Sequence, residues 1–192
     1  MCALGRVGFT ILALAGCCLA CDRAGVCDYP KEQGKAFSWR RGSNTVVMKA
    51  YRVSGMARGR QIFTLYGSGE LEMERYAENY TKLLEERSRR LSDAEMCELL
   101  QPVVDSRLPE WTAERLSPVS NQIRRISDMP YLHLEVSLLY YPPLGGSIDS
   151  SAGFPIEATR STTPVFESFD EIVAAWDLES DLQSMWKLPP TD

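Results

Sequence analysis

The sequence predicts an α+β fold: an antiparallel sheet of four or five strands packed by two helices. Three observations carry that prediction. Glu70, Glu72 and Glu74 alternate with Leu71, Met73 and Arg75 directly after Gly67-Ser68-Gly69, as in a half-buried strand leaving a hairpin turn. Ser92 and Glu95 have capping-box spacing, and Met96, Leu99, Leu100, Val103 and Val104 follow at helical spacing. Leu132, Leu134, Val136, Leu138 and Tyr140 alternate with His133, Glu135, Ser137, Leu139 and Tyr141, a long strand ended by Pro142-Pro143.

The remaining elements follow in order. Val46, Val47, Met48, Tyr51 and Val53 read as the first strand of a domain that starts near Thr45. Gly55 and Gly59 mark a turn, and Gln61 to Tyr66 forms the next strand. Residues 78–90 fit a helical stripe through Tyr80, Leu83, Leu84 and Arg87, or a third antiparallel strand from about Thr81 to Arg89. The chain must be non-helical at Leu91 to enter the capped helix, which favours the strand. That helix starts at Asp93, with Leu91 and Met96 as a hydrophobic staple, and Pro102 should kink or end it. Residues 106–129 read as loop with short helical turns, and residues 142–166 as a long loop rich in Gly, Ser, Thr and Pro. Ser168 and Glu171 repeat the capping-box spacing before a helix over about 169–186, with Phe169, Ile172, Val173 and Trp176 on one face.

The N-terminus sets the expected domain organisation. Val7 to Ala15 is an apolar run of signal-peptide length, far below the roughly 20 residues of a membrane span. It ends in Leu14-Ala15-Gly16-Cys17, which resembles the lipobox of bacterial lipoproteins. The resemblance implies a signal peptide over 1–16, cleavage between Gly16 and Cys17, and lipidation of Cys17 by diacylglycerol and often a palmitate-like N-acyl chain. Two or more chains anchor stably where one does not. Cys18 follows with no Asp in its place, which by analogy favours the outer membrane of the cell envelope. An ordinary secretory signal is the alternative, with a soluble periplasmic or secreted product. Residues 17–44 are polar and aperiodic and read as a flexible tether, leaving 45–192 as a single α+β domain.

Composition narrows the partners. Residues 17–60 carry nine Lys/Arg against three acids, whereas 61–192 carry eleven against twenty-three. The basic stretch adjoins the expected lipid, where Lys and Arg favour an anionic leaflet. The acidic remainder argues against nucleic acid. Six cysteines are present. Cys2 leaves with the signal and Cys17 is taken by lipid, so Cys18, Cys21, Cys27 and Cys97 are candidates for disulfide pairing in an oxidising compartment. A metal set built on Cys18-x-x-Cys21 and Cys27 would need Cys97 or His133 as a fourth ligand beside a lipid anchor. We expect no metal and no cofactor.

Candidate chemistry is sparse. His133 is the sole histidine, so any Ser-His-Asp or Cys-His arrangement must use it; its strand places it opposite the leucines, near Glu135. No Gly-x-Ser-x-Gly elbow accompanies it. Gly67-x-Gly69 precedes a strand rather than a helix, so it reads as a turn and not a phosphate loop. Glu70, Glu72 and Glu74 read as a solvated face paired with Arg87, Arg89 and Arg90. Residues 161–192 carry seven acids against Lys187, with Trp176 and Trp186 among them, so these two tryptophans are the candidate partner-docking residues.

The run from Tyr51 to Met73, with Ser54-Gly55 and Gly59 between strands, then Gly67-x-Gly69 and Leu91-Ser92, resembles small domains of bacterial lipoproteins. It is also distantly similar to emfourin-type inhibitors of thermolysin-like proteases, in which a Ser-Gly-Gly-aromatic-x-Gly turn follows the first strand. Here Met56 stands in place of the second Gly and Ala57 in place of the aromatic. The sequence thus leads to a non-enzymatic, lipid-anchored envelope protein that binds a partner or has a structural role. The alternatives are an inhibitor-like module acting on an extracytoplasmic protease, and a hydrolase using His133.

Overall fold

The computed structural model describes residues 24–28, 36–53, 60–77, 81–119, 130–155 and 163–186. Eight antiparallel strands form one sheet: β1 (Ala24–Cys27), β2 (Phe37–Arg40), β3 (Val46–Val53), β4 (Arg60–Tyr66), β5 (Glu70–Tyr76), β6 (Leu83–Arg90), β7 (Tyr131–Tyr141) and β8 (Gly146–Pro155). The helices are α1 (Asp93–Asp105), α2 (Thr163–Phe166) and α3 (Asp170–Ser184), with 3-10 turns at Leu108–Glu110 and Ala113–Val119. The fold is α+β with an antiparallel sheet, and the expectation of four or five strands is corrected to eight.

β7 is the spine. One edge pairs with β3 from Tyr131 to Val136 and with β2 at Tyr140, and the other edge pairs with β8. β3 continues through β4 and β5 to β6, while β2 carries β1. Alternation along the strands gives each face its character. Leu132, Leu134, Val136 and Leu138 join Met48, Ala50, Phe63, Leu65, Leu71 and Met73 beneath Leu100 and Val103 of α1 and Ile172 and Leu178 of α3. Full burial of such side chains contributes roughly 1.5–3 kcal/mol each.

The strand over residues 83–90 forms as expected, with charges rather than apolar residues at its core-side positions. Arg89 lies opposite Leu71, Arg87 opposite Met73 and Glu85 opposite Arg75. Inward charges on an edge strand discourage pairing with another chain. The Gly67–Gly69 hairpin also forms; Gly69 has φ +86°, and a Cβ there would stand 2.4 Å from the Leu91 carbonyl oxygen. Only glycine suits that position.

Four expectations are corrected. The described parts of the expected tether are folded: Cys27, Phe37 and Trp39 are buried. Trp39 covers Gly25, its cross-strand partner, where a Cβ would meet the indole at 2.1 Å. The long loop over 142–166 contains β8, ten residues hydrogen-bonded to β7 with Ala152 and Phe154 facing the core. Pro102 does not end α1, which runs on to Asp105; Pro102 sits on the exposed side, between buried Gln101 and Val103, so the i−4 carbonyl it cannot pair faces water. The second capping box does not form. Phe169 is the N-cap of α3, drawn edge-on to Trp111 at 5.8 Å. Ser168 instead donates to the Val165 carbonyl, and Glu171 pairs with Arg115.

Candidate functional site

The uncovered face of the sheet holds a polar cluster on neighbouring strands. Tyr51 of β3 lies directly opposite His133 of β7, which lies opposite Gly153 of β8. Antiparallel pairing puts opposed side chains on one face. The Tyr51 and His133 ring centroids are 4.6 Å apart. The Arg60 guanidinium lies 4.1 Å from the Tyr51 centroid, and Lys49 Nζ lies 6.0 Å away. A ring that holds cations at its face is a cation–π contact. The Tyr51 hydroxyl donates to Glu135 Oε1 at 3.4 Å. Burial, with the Glu135 charge next, pushes the Tyr51 phenol up.

Ser151 of β8 brings a hydroxyl to this group, with its Oγ 2.9 Å from His133 Nε2. Glu135 Oε1 approaches the same Nε2 at 3.6 Å. A Ser-His-carboxylate relay needs its hydroxyl on one ring nitrogen and its carboxylate on the other. Here both meet one nitrogen, so the three residues form a surface hydrogen-bonding group and not a relay. Sequence periodicity placed His133 and Glu135 on one face. Ser151 is hidden in the sequence because β8 reads as loop; the outward alternation of Ser147, Asp149 and Ser151 is the one signal of it.

The cysteines resolve in part. Cys27 of β1 and Cys97 of α1 form a disulfide with Cα atoms 5.7 Å apart. The bond borders a recess of about 380 Å³ lined by Val26, Asp28, Asp93, Ala94 and Glu98. It removes both thiols from any metal ligand set. Leu14-Ala15-Gly16-Cys17, Cys18, Cys21 and the Ser54–Gly59 turn lie outside the described residues.

The two candidate docking tryptophans belong to the fold. Trp186 is buried in the core. Trp176 is half-buried, and its Nε1 donates to the Pro155 carbonyl at 2.6 Å. Trp111, stacked on Phe154, donates to the Gly153 carbonyl at 3.1 Å. Both indoles therefore donate to carbonyls of β8. Trp186 packs α3 onto the core, and Trp176 adds a clasp on the sheet edge.

The acidic row of β5 is paired differently from the expectation. Glu72 accepts from the Tyr66 hydroxyl at 2.9 Å, and Glu70 lies opposite Arg90. Arg87 pairs with Glu85 and Arg89 with Glu95 of the capping box. Among the described residues no group of three or more His, Cys, Asp and Glu side chains could hold a metal ion. No protein-family model matches the chain, and no curated protein matches it.

Proposed function

We propose that this chain is a lipid-anchored lipoprotein of the bacterial envelope, with the outer membrane the favoured site, whose sheet body is a non-enzymatic partner-binding or structural module. The observation that carries the reading is Leu14-Ala15-Gly16-Cys17 at the end of the Val7–Ala15 apolar run. The Cys27–Cys97 disulfide supports it, because such bonds persist in oxidising compartments outside the cytosol. Among the described residues no helix is long and apolar enough to cross a membrane. The non-enzymatic part is supported by the His133 geometry, in which Ser151 and Glu135 compete for one nitrogen.

Metabolic labelling with a radiolabelled fatty acid tests the anchor. Cys17→Ala should lose the label and leave the membrane fraction; unchanged labelling and sedimentation would overturn the reading. Affinity capture of the lipidated protein from its own envelope then addresses the partner. His133→Ala and Ser151→Ala should retain that capture and any phenotype, whereas loss of both in a folded variant would revive the hydrolase reading.

A further inference from the structure

The end of the sheet nearest Cys17 in sequence carries the most exposed large apolar side chain. Val26, Leu139, Tyr140 and Leu144 are four of the eight exposed large hydrophobics among the described residues, and Leu144 leads them at 60%. The strand register brings Val26 and Tyr140 together. Val26 lies opposite Ser38, and Ser38 opposite Tyr140, so the three side chains share one row on one face. Ala24 and Arg40, themselves paired and both exposed, extend that face. Leu144 stands in the turn directly after β7. The opposite face of β1 and β2 is closed: Cys27, Phe37 and Trp39 are buried there.

The chain outside the described residues says what covers this face. Ala24 opens β1 seven positions after Cys17. Seven residues, however arranged, reach at most about 25 Å. The leash expected from a 28-residue tether is therefore much shorter, because the strands begin early. Arg23, Lys31, Lys35, Arg40 and Arg41 fall in the same stretch against Asp22, Asp28 and Glu32, a net excess of positive charge, with Arg41 paired to Asp93. Basic residues within a Debye length of an anionic leaflet are attracted to it, and exposed apolar side chains settle at the headgroup–acyl boundary.

We propose that the exposed face of β1 and β2, with Tyr140 and the β7–β8 turn, lies on an anionic lipid bilayer. The proposal rests on the reading of Cys17 as lipid-anchored. It makes the anchored domain lie down on the membrane with β1 and β2 beneath, instead of swinging on a long tether. Leu83 and Leu84 on β6, at the other end of the strand order, point to no such surface and provide the control.

The test uses the full chain, purified with whatever lipid it carries and reconstituted into vesicles of phosphatidylethanolamine and phosphatidylglycerol. Leu144→Trp and Leu84→Trp each add one exposed indole, and acyl-brominated lipid quenches indoles that reach the boundary. After subtraction of the parent signal, emission should fall roughly twofold for Leu144→Trp and stay unchanged for Leu84→Trp. Mass spectrometry of the Cys17 peptide reads the anchor separately. Lipid on Cys17 with no quenching at 144, or with equal quenching at both positions, overturns the face and keeps the anchor. No lipid on Cys17 overturns the anchor; the same protein is then mixed with preformed vesicles, where quenching at 144 supports the face and its absence overturns it. A blue shift at 144 that grows with protein concentration without bromine quenching marks a protein neighbour and overturns the proposal.

Discussion

Cys27 and Cys97 join a four-residue strand to the middle of helix α1, across a sequence separation of 70. The bond ties β1, which among the described residues is a sheet-end strand paired with β2 alone, to the core beneath α1. A closed loop of that length lowers the entropy of the unfolded chain, which corresponds to about 4 kcal/mol in the chain-entropy model. Replacing Cys27 and Cys97 together by Ala should lower stability by about 2–4 kcal/mol. Urea unfolding followed by far-ultraviolet circular dichroism checks this. Because Cys97 borders a recess, dithiothreitol should produce the same loss in the parent protein.

Ser92 and Ser168 have the same spacing to a glutamate but different structural roles. The Ser92 Oγ accepts from the Glu95 backbone N–H, and Glu95 Oε2 accepts from the Ser92 backbone N–H at 2.8 Å. Ser168 caps nothing. Ser92→Ala should cost about 1 kcal/mol, and Ser168→Ala about half of that or less, in paired urea melts.

Much of this fold was legible. The Ser92–Glu95 box, the Gly67–Gly69 turn and the alternation of β5 and β7 are local signals, and each element formed where its pattern stood. β1, β2 and β8 were not legible. Four residues are too few to show a period, and the fit of Trp39 over Gly25 depends on a register that no local window contains. Seven of the ten β8 residues are Gly, Ser, Asp or Ala, which read as loop; its strand state comes from the β7 edge and the two indoles on its carbonyls. The same cause hid Ser151 while leaving His133 and Glu135 visible. Trp176 and Trp186 looked alike in sequence, and only packing separates a clasp from a core residue.

Trp176→Phe isolates that clasp. It keeps an aromatic ring on α3 and removes the donor to the Pro155 carbonyl, which belongs to a buried residue. Leaving a buried carbonyl unpaired costs about 1–3 kcal/mol. The expected result is a melting temperature several degrees lower, with faster hydrogen exchange concentrated in β8, as read by mass spectrometry.

Of the tyrosines whose phenols are pushed up, Tyr66 and Tyr141 are raised most. The hydrogen bond to Glu72, with burial next, pushes the Tyr66 phenol up to about 12. Burial, with the hydrogen bond to Glu110 next, pushes Tyr141 up as well. A phenol whose pKa is raised on folding contributes stability that is complete below its unfolded value of 10.0 and is lost as pH rises through the folded value. Alkaline unfolding should therefore begin above pH 10. Absorbance titration at the phenolate band should show one fewer late-ionising group in Tyr66→Phe, and no change there would refute the assignment.

Among the described residues β2 reaches the rest of the sheet through Ser38 and Tyr140 of β7, and β1 pairs with β2 alone. A ribosome makes the chain from the other direction. At about 5–20 residues per second, roughly 5–20 s separate the synthesis of β2 from that of its partner. Throughout that interval Phe37 and Trp39 lack the cover they have in the finished protein, although Cys97, the partner of Cys27, is made partway through it. The strands made first wait for a partner made late, so a newborn chain presents Phe37 and Trp39 before β7 exists to pair with β2. That order exposes this segment to chaperones during biogenesis.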